Sequence, residues 1–443
     1  VGYEAGSRAA RAGAGDGTRM KILVVGGGGR EHALAWRLAR DPERPEILCA
    51  PGNTGTAQVG RNVAVDAADV PGLVALARAE RPDLTVIGPE APLCAGLADA
   101  LLAEGFAVFG PTRDGARLEG SKIFCKDVLR AAGVPTAEAE RFTDAAAAKA
   151  CARARGGAVV VKADGLAAGK GVTVCTAAAE AEAAIDDALV KGVFGDAGRE
   201  VLIEERLVGE EVSILGLVDG ERVVLLASAQ DHKRVFDDDR GPNTGGMGAY
   251  SPAPVIADAD LPAIRELVFE RTLAELKRRG IAYRGVLYAG LMMTDGGPKV
   301  LEFNCRFGDP ETQAILPRWA GSVSRVLLAC AQGRLDPGMV TWHPGACVCV
   351  VLVAGGYPGP YAKGKAIEGL GEAGALEDVA VFHAGTAVRD GRIVTAGGRV
   401  LGVTARGKDI RSAVSRAYEA VGRIRFEGMH CRRDIAARAL RRM

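Results

Sequence analysis

The sequence predicts an α/β protein of several domains that opens on a parallel sheet. Three observations carry this prediction. Between residues 21 and 110, short apolar runs alternate with stretches of helical periodicity, the pattern of strand–helix–strand units. Glycine-rich turns follow the apolar runs, as at Gly26-Gly27-Gly28-Gly29 and Gly88-Pro89-Glu90. The chain of 443 residues also exceeds what one hydrophobic core usually serves, so two to four domains are expected.

Taken in order, residues 1–19 are small and polar and lack the apolar centre of a signal peptide. They are expected to form a disordered extension outside the fold. Residues 20–120 form the first domain. Lys21–Val25 is a strand, Arg30–Ala39 a helix, Glu46–Ala50 a strand, Leu73–Glu80 a helix and Leu84–Ile87 a strand. Ligands of such sheets sit at the loops after the strands. Residues 121–345 form the second domain, starting with a helix stopped by Gly133 and Pro135. Within it, 137–208 reads as a smaller α/β unit around Val159–Ala163 and Gly171–Cys175. A long polar loop is expected at 231–249, and an amphipathic helix near 261–279. Residues 346–443 form a third, strand-rich domain.

Composition excludes several classes of function. Hydrophobic residues make up 48% and charged residues 25%, and the formal net charge is only +1 with no basic block. Nucleic acid is therefore not an expected partner. No apolar stretch reaches the roughly 18 residues of a membrane span, so no membrane is expected either. The ten cysteines lack zinc or CxxC spacing. Cys347 and Cys349, two apart on a strand, share one face and read as core. A reducing, cytoplasmic compartment follows.

The glycine loops are less diagnostic than they look. In Gly26–Gly29 the third dinucleotide glycine is replaced by Glu31, and the second strand ends at Ala50-Pro51 without a ribose-binding carboxylate, so NAD or FAD does not fit. A sugar phosphate at the helix N-terminus, or a plain turn, remains. Lys162-Ala-Asp-Gly-Leu-Ala-Ala-Gly-Lys-Gly171 fails the P-loop test: only three residues separate Gly165 from Gly169, and Gly171 replaces Ser or Thr. It reads as a hairpin tip able to close over phosphates, or as a simple hairpin.

Other motifs add chemistry. Val201–Leu207 is a strand ending in Glu204 and Glu205, either a solvated terminus or a hinge that reads adenine. Glu302 and Asn304, two apart on the strand Lys299–Asn304, face one side. They can ligate a hard cation such as Mg²⁺, or form a polar sheet face. Arg306 continues that face with a fork suited to carboxylate or phosphate. The loop carrying Asp231, His232, Lys233 and Arg234, followed by Asn243, Thr244, Gly245, Gly246, Met247 and Gly248, suggests backbone pressed against an anionic ligand.

In this order these stretches resemble the glycinamide ribonucleotide synthetases (phosphoribosylamine–glycine ligases) of the ATP-grasp superfamily. The likeness rests on VVGGGGREHALAW, PGNTGT, IGPEAPLCAGLAD, VVKADGLAAGKGV, LIEERLVGEEVS, QDHKR, GPNTGGMGAYSP, LEFNCRFGDPETQ and GMHCRRDIAARAL. It implies a Rossmann-like N-terminal domain, an ATP-grasp core with a hinged lid, and a small mixed β-rich C-terminal domain. It implies ATP and Mg²⁺ or Mn²⁺ as cofactors and glycine and 5-phosphoribosylamine as substrates; apart from the resemblance, a monomer is expected. Lys122, Lys162, Gly169, Lys170 and Gly171 would hold ATP phosphates. Glu204, Glu205 and Leu207 would read adenine and Glu211 the ribose, while Glu302 and Asn304 would bind metal. Arg306, Lys162, Asp231 and Lys233 would be catalytic. Gly28, Gly29, Arg30, Glu31, Asn53, Thr54, Glu90, Asn243 to Met247, Arg306 and Asp309 would bind substrate. Two departures stand out: the segment Phe236–Arg240, and His430-Cys431 where an aromatic is expected.

Overall fold

The structure is a computed structural model that describes residues 19–166 and 171–443. Residues 1–18, and with them nearly all of the expected extension, lie outside the described residues, as do Gly169 and Lys170.

The N-terminal sheet has the parallel order Arg61–Asn62, Glu46–Pro51, Lys21–Gly26, Leu84–Ile87, Val108–Phe109. Its three central strands are nearly continuous apolar runs because both faces are covered. Leu23, Val25, Leu48 and Ile87 pack against helices on one side, and Ile22, Val24 and Ile47 pack on the other against Leu34 and Trp319. Strand order reverses around Lys21–Gly26, so the glycine loop after it opens at a switch point.

A second sheet orders Val223–Leu225, Glu210–Asp219, Arg284–Thr294 and Gly297–Asn304, all antiparallel. A third, within the residues read as the smaller unit, orders Ala139–Phe142, Val201–Glu205, Val159–Ala163 and Val172–Val174. These two sheets face each other across a deep cavity.

The stretch 231–249 differs from the expected loop. Gln230–Asp231 and Gly248–Ser251 are strands, and Arg234–Phe236 with Arg240–Asn243 forms a hairpin between them. The outer pair joins Ala346–Val353, Arg399–Gly407 and Val379–His383 in one five-stranded sheet. Polarity hid these strands: the hairpin pairs with itself, Gln230–Asp231 pairs with Gly248–Ser251, and only the latter reaches a strand far along the chain, Ala346–Val353. Cys347 and Cys349 lie in that sheet, fully buried, as their spacing predicts. No helix among the described residues is long and apolar enough to cross a membrane.

Candidate active site

A cavity of about 1230 Å³ lies between the two facing sheets and the N-terminal domain. Its walls carry most of the residues singled out by sequence. Arg30, Glu90, Lys122, Lys162, Gly171, Glu204, Glu205, Leu207 and Glu211 line it. So do Asp231, Lys233, Asn243, Thr244, Gly245, Glu302, Asn304, Arg306 and Asp309.

Glu204 is not a solvated strand end. It is 2% exposed, and its two oxygens receive Lys126 at 3.2 Å and Lys162 at 2.9 Å. Lys162 also donates to the Leu301 carbonyl at 2.9 Å, which ties the two sheets together. Burial alone would lower the Lys162 pKa, but Glu204 and Glu302 hold it above its usual value. Burial lowers the pKa of Lys122, whose ammonium donates to the Gly165 carbonyl at 2.8 Å. Asp164 accepts from Ser121 and from the Ile123 amide, so the base of the hairpin tip is pinned to a helix start. Glu205 faces Lys299 at 3.4 Å.

The opposite wall is the strand Gly297–Asn304. Burial would raise the Glu302 pKa, but Lys233, Lys162 and Lys122 together bring it below the usual carboxylate value. Glu302 has no hydrogen-bond or ion-pair partner among the described residues. The Asn304 side-chain oxygen Oδ1 instead accepts from Arg306 at 3.0 Å. Arg306 is half-buried and pairs with Glu119 at 2.9 Å and Glu90 at 3.3 Å. Lys233 pairs with Glu211 at 2.7 Å. Asp231 stands beside them, its carboxyl pushed up to about 7 by burial.

The glycine loop has internal duties. The Gly28 amide donates to Glu31 at 2.7 Å, and Arg30 donates to Glu31 at 2.6 Å and to the Phe307 carbonyl at 3.0 Å. A Cβ on Gly26 or Gly88 would collide with the Glu31 side chain. The Asn53 amide donates to the carbonyls of Gly27, Gly28 and His383, and its oxygen accepts from Gly55 and Thr56. Gly28, Glu31 and Asn53 are thus tied into the loop by these contacts, and Gly28, Gly29, Glu31, Asn53 and Thr54 are not among the residues lining the cavity. Gly246 likewise lies off the wall, its amide donating to Thr244. Met247 is fully buried in an apolar cluster with Val235, Ala249 and Cys349, so its role is packing.

Several charged wall residues are not marked by the sequence, four of them with buried or edge contacts. Glu119, in the last turn of the helix Arg113–Gly120, holds Arg306 and the Cys305 amide. Glu311, within the stretch LEFNCRFGDPETQ, accepts from Tyr288 at 2.7 Å and Ser213 at 3.2 Å. Arg399 reaches in from the C-terminal sheet to the Asp309 carboxylate at 3.0 Å and to the carbonyls of Asp309 and Gly245. Arg438 pairs with Asp239 at 2.6 Å at the cavity edge. Nothing local in the sequence marks either arginine.

The chain is similar to known proteins over nearly its whole length. Residues 20–119, 120–312 and 347–438 match the N domain, the ATP-grasp (A) domain and the C domain described for phosphoribosylglycinamide synthetase. The phosphoribosylamine–glycine ligase of Synechocystis is 52% identical over 95% of this chain and 100% of its own length. That of Escherichia coli O6:H1 is 50% identical over 96% of this chain and 99% of its own. The crystal structure of phosphoribosylamine–glycine ligase from Thermotoga maritima superposes with a TM-score of 0.83 at 36% identity, covering 94% of this chain and 100% of that one. A biotin carboxylase domain from Hydrogenobacter thermophilus shares the fold, with a TM-score of 0.69 at 18% identity over 93% of this chain and 91% of that one. The chain thus belongs to the phosphoribosylglycinamide synthetase family, with the Rossmann-like N-terminal domain and ATP-grasp core that its sequence predicts.

Proposed function

We propose that the protein ligates glycine to 5-phosphoribosylamine at the expense of ATP, giving glycinamide ribonucleotide, ADP and phosphate in purine biosynthesis. The observation that carries this reading is Glu302. It is a carboxylate with no partner among the described residues, set on a cavity wall in the field of three lysines. The names of the half-identical relatives supply the substrates.

A carboxylate does not condense with an amine unaided, because its oxygen is a poor leaving group. The glycine carboxylate attacks the γ-phosphate in line, and ADP leaves. The amine of phosphoribosylamine then attacks the carbonyl of glycyl phosphate, loses a proton and expels phosphate. Neither step needs a protein nucleophile; positioning and charge suffice. Lys122 and Lys162 hold the phosphates, with Gly165 and Gly171 at the base of the covering hairpin. The Glu205–Leu207 backbone reads adenine and Glu211 the ribose. Glu204, occupied by two lysines, sets Lys162 rather than contacting the base through its carboxylate. Arg306 exchanges Glu90 and Glu119 for the glycine carboxylate. Asp231 and Lys233 bound the amine side. Arg30, Asn243, Thr244, Gly245 and Asp309 receive the phosphoribosyl group, and the Gly28–Glu31 loop with Asn53 and Thr54 supports them from behind.

A hard cation fits the free oxygens of Glu302, whereas Asn304 joins it only if Arg306 releases its oxygen. When bound, Mg²⁺ or Mn²⁺ offsets phosphate charge. Residues 20–120, 121–345 and 346–443 serve as the three domains, with 137–208 as the lid. The chain acts as a monomer in the cytoplasm, where its unpaired cysteines stay reduced.

The test is glycine labelled with ¹⁸O in the carboxylate, supplied with ATP and freshly generated phosphoribosylamine. One label should appear in the released phosphate. ADP formation that ignores glycine, or phosphate without label, overturns the reading.

A further inference from the structure

The hairpin next to Asp231 and Lys233 turns through Asp237–Asp239, with Asp238 and Asp239 both left-handed at φ 57° and 53°. Such a turn in non-glycine residues persists only when its surroundings hold it. Here the hold comes from residues 430–438, almost two hundred positions later. Arg432, only 1% exposed, donates twice to Asp434 at 2.7 and 2.6 Å. Its remaining nitrogen donates to Asp239 at 2.8 Å and to the Arg234 carbonyl at 3.2 Å, one residue from Lys233. Asp434 in turn accepts the Asp238 amide, and Asp237 accepts the Arg433 amide. His430 binds the Val235 carbonyl at 2.9 Å, and Arg438 closes on the other oxygen of Asp239.

The clamp is itself anchored. Tyr418 donates to the Arg432 carbonyl and accepts the Ile435 amide, and His430 bridges to Val353 in the C-terminal sheet. The opposite side of the hairpin is fixed by the Lys233 carbonyl, which takes both the amide and the hydroxyl of Thr244. His232, between Asp231 and Lys233, is 1% exposed and neither ring nitrogen has a partner. Its ring supplies no hold on the loop, so orientation falls to the backbone on one side and to the Arg432 network on the other.

We propose that Arg432 is a positioning residue for the reaction: it fixes the backbone that aims Lys233 and Asp231 into the cavity. This rests on the ligase reading for its consequence, but the loop's order can be measured without turnover. Guanidinium geometry is essential, because an ammonium cannot serve Asp434 twice while also reaching Asp239 and a carbonyl.

The experiment compares Arg432→Lys and Arg432→Met with the wild type in the full chain. Misplacing catalytic groups by about 1 Å costs on the order of 100-fold. Glycine-dependent ADP formation should therefore fall by about that factor in kcat. Affinity for a non-hydrolysable ATP analogue should fall far less than kcat, because of the proposed nucleotide contacts only Glu211 pairs with Lys233, while Lys122 and Lys162 stand on other elements. Amide exchange at His232, Thr244 and Met247, all hydrogen-bonded here, should accelerate in both variants. Wild-type exchange at these amides overturns the proposal, whatever the turnover. So does loss of nucleotide affinity in step with kcat, which would mark a general structural role. If the Met variant does not fold, Asp239→Asn cuts the same link from the hairpin side and faces the same criteria. A wild type with no glycine-dependent turnover sinks the ligase reading and leaves the exchange result to decide the clamp.

Discussion

Replacing Glu204 with Gln keeps the shape of the side chain and removes its charge. The carboxylate neutralises two ammonium groups at 3.2 and 2.9 Å, and the side chains of Lys126, Lys162 and Glu204 are only 4%, 8% and 3% exposed. Breaking a buried pair by removing one partner costs about 3–5 kcal/mol, since the remaining charge stays desolvated. Both lysines keep other acceptors: Thr136 and the Ala137 carbonyl for Lys126, and the Leu301 carbonyl for Lys162. That places the loss near the lower end, about 3 kcal/mol. The sign of the pH effect also follows. Burial already lowers the Lys126 pKa, and without Glu204 it falls further. Alkaline solution lets Lys126 shed its proton in the folded variant, so the deficit should shrink as pH rises. A bound polyphosphate would replace the missing charge, so ATP should raise the stability of the variant more than that of the wild type. Urea unfolding at neutral and alkaline pH, with and without ATP, reads all three effects. A variant within about 0.5 kcal/mol of wild type at neutral pH would refute the electrostatic account.

Asp231 supplies a second pH test. Its folded pKa of about 7 stands above the ordinary 3.8, so the native state holds an extra proton between those values. Stability from this group is lost as pH rises through that window, and Asp231→Asn should gain on wild type from about pH 4 to pH 7; a constant difference would count against it. Asp41, 1% exposed, accepts Arg37 at 2.6 Å and the Val323 and Ser324 amides, joining the first helix to the core. Asp41→Ala should cost about 3–5 kcal/mol in thermal or urea unfolding. Arg306→Ala should lower ligation on the order of 100- to 1000-fold in a folded protein, with near-normal turnover excluding its proposed role.

What could be read from sequence follows the range of the interactions involved. Strand 21–26 declares itself as a continuous apolar run covered on both faces, and 297–304 as a strand that buries Val300 and Phe303. That Glu302 and Asn304 share one face follows from the two-residue repeat of any strand. The hairpin at 234–243 could not be read so, because its partners lie near residues 430–438. Arg399 and Glu119 were invisible for the same reason: each is an ordinary charged residue until the fold brings it against Asp309 or Arg306. Met247 misled in the opposite direction. Its motif looks like ligand-facing backbone, but its side chain points into an apolar cluster.

The five-stranded sheet that unites Gln230–Asp231 and Gly248–Ser251 with Ala346–Val353 and Arg399–Gly407 has a consequence for biogenesis. On the ribosome, the inner strand it needs appears roughly a hundred residues after Ser251. At about 5–20 residues per second the earlier strands wait some 5–20 seconds with open edges. The hairpin waits longer still, for Arg432. The nascent chain can complete its lysine-lined wall early, but the segment bearing Asp231 and Lys233 takes shape only as synthesis nears residue 432.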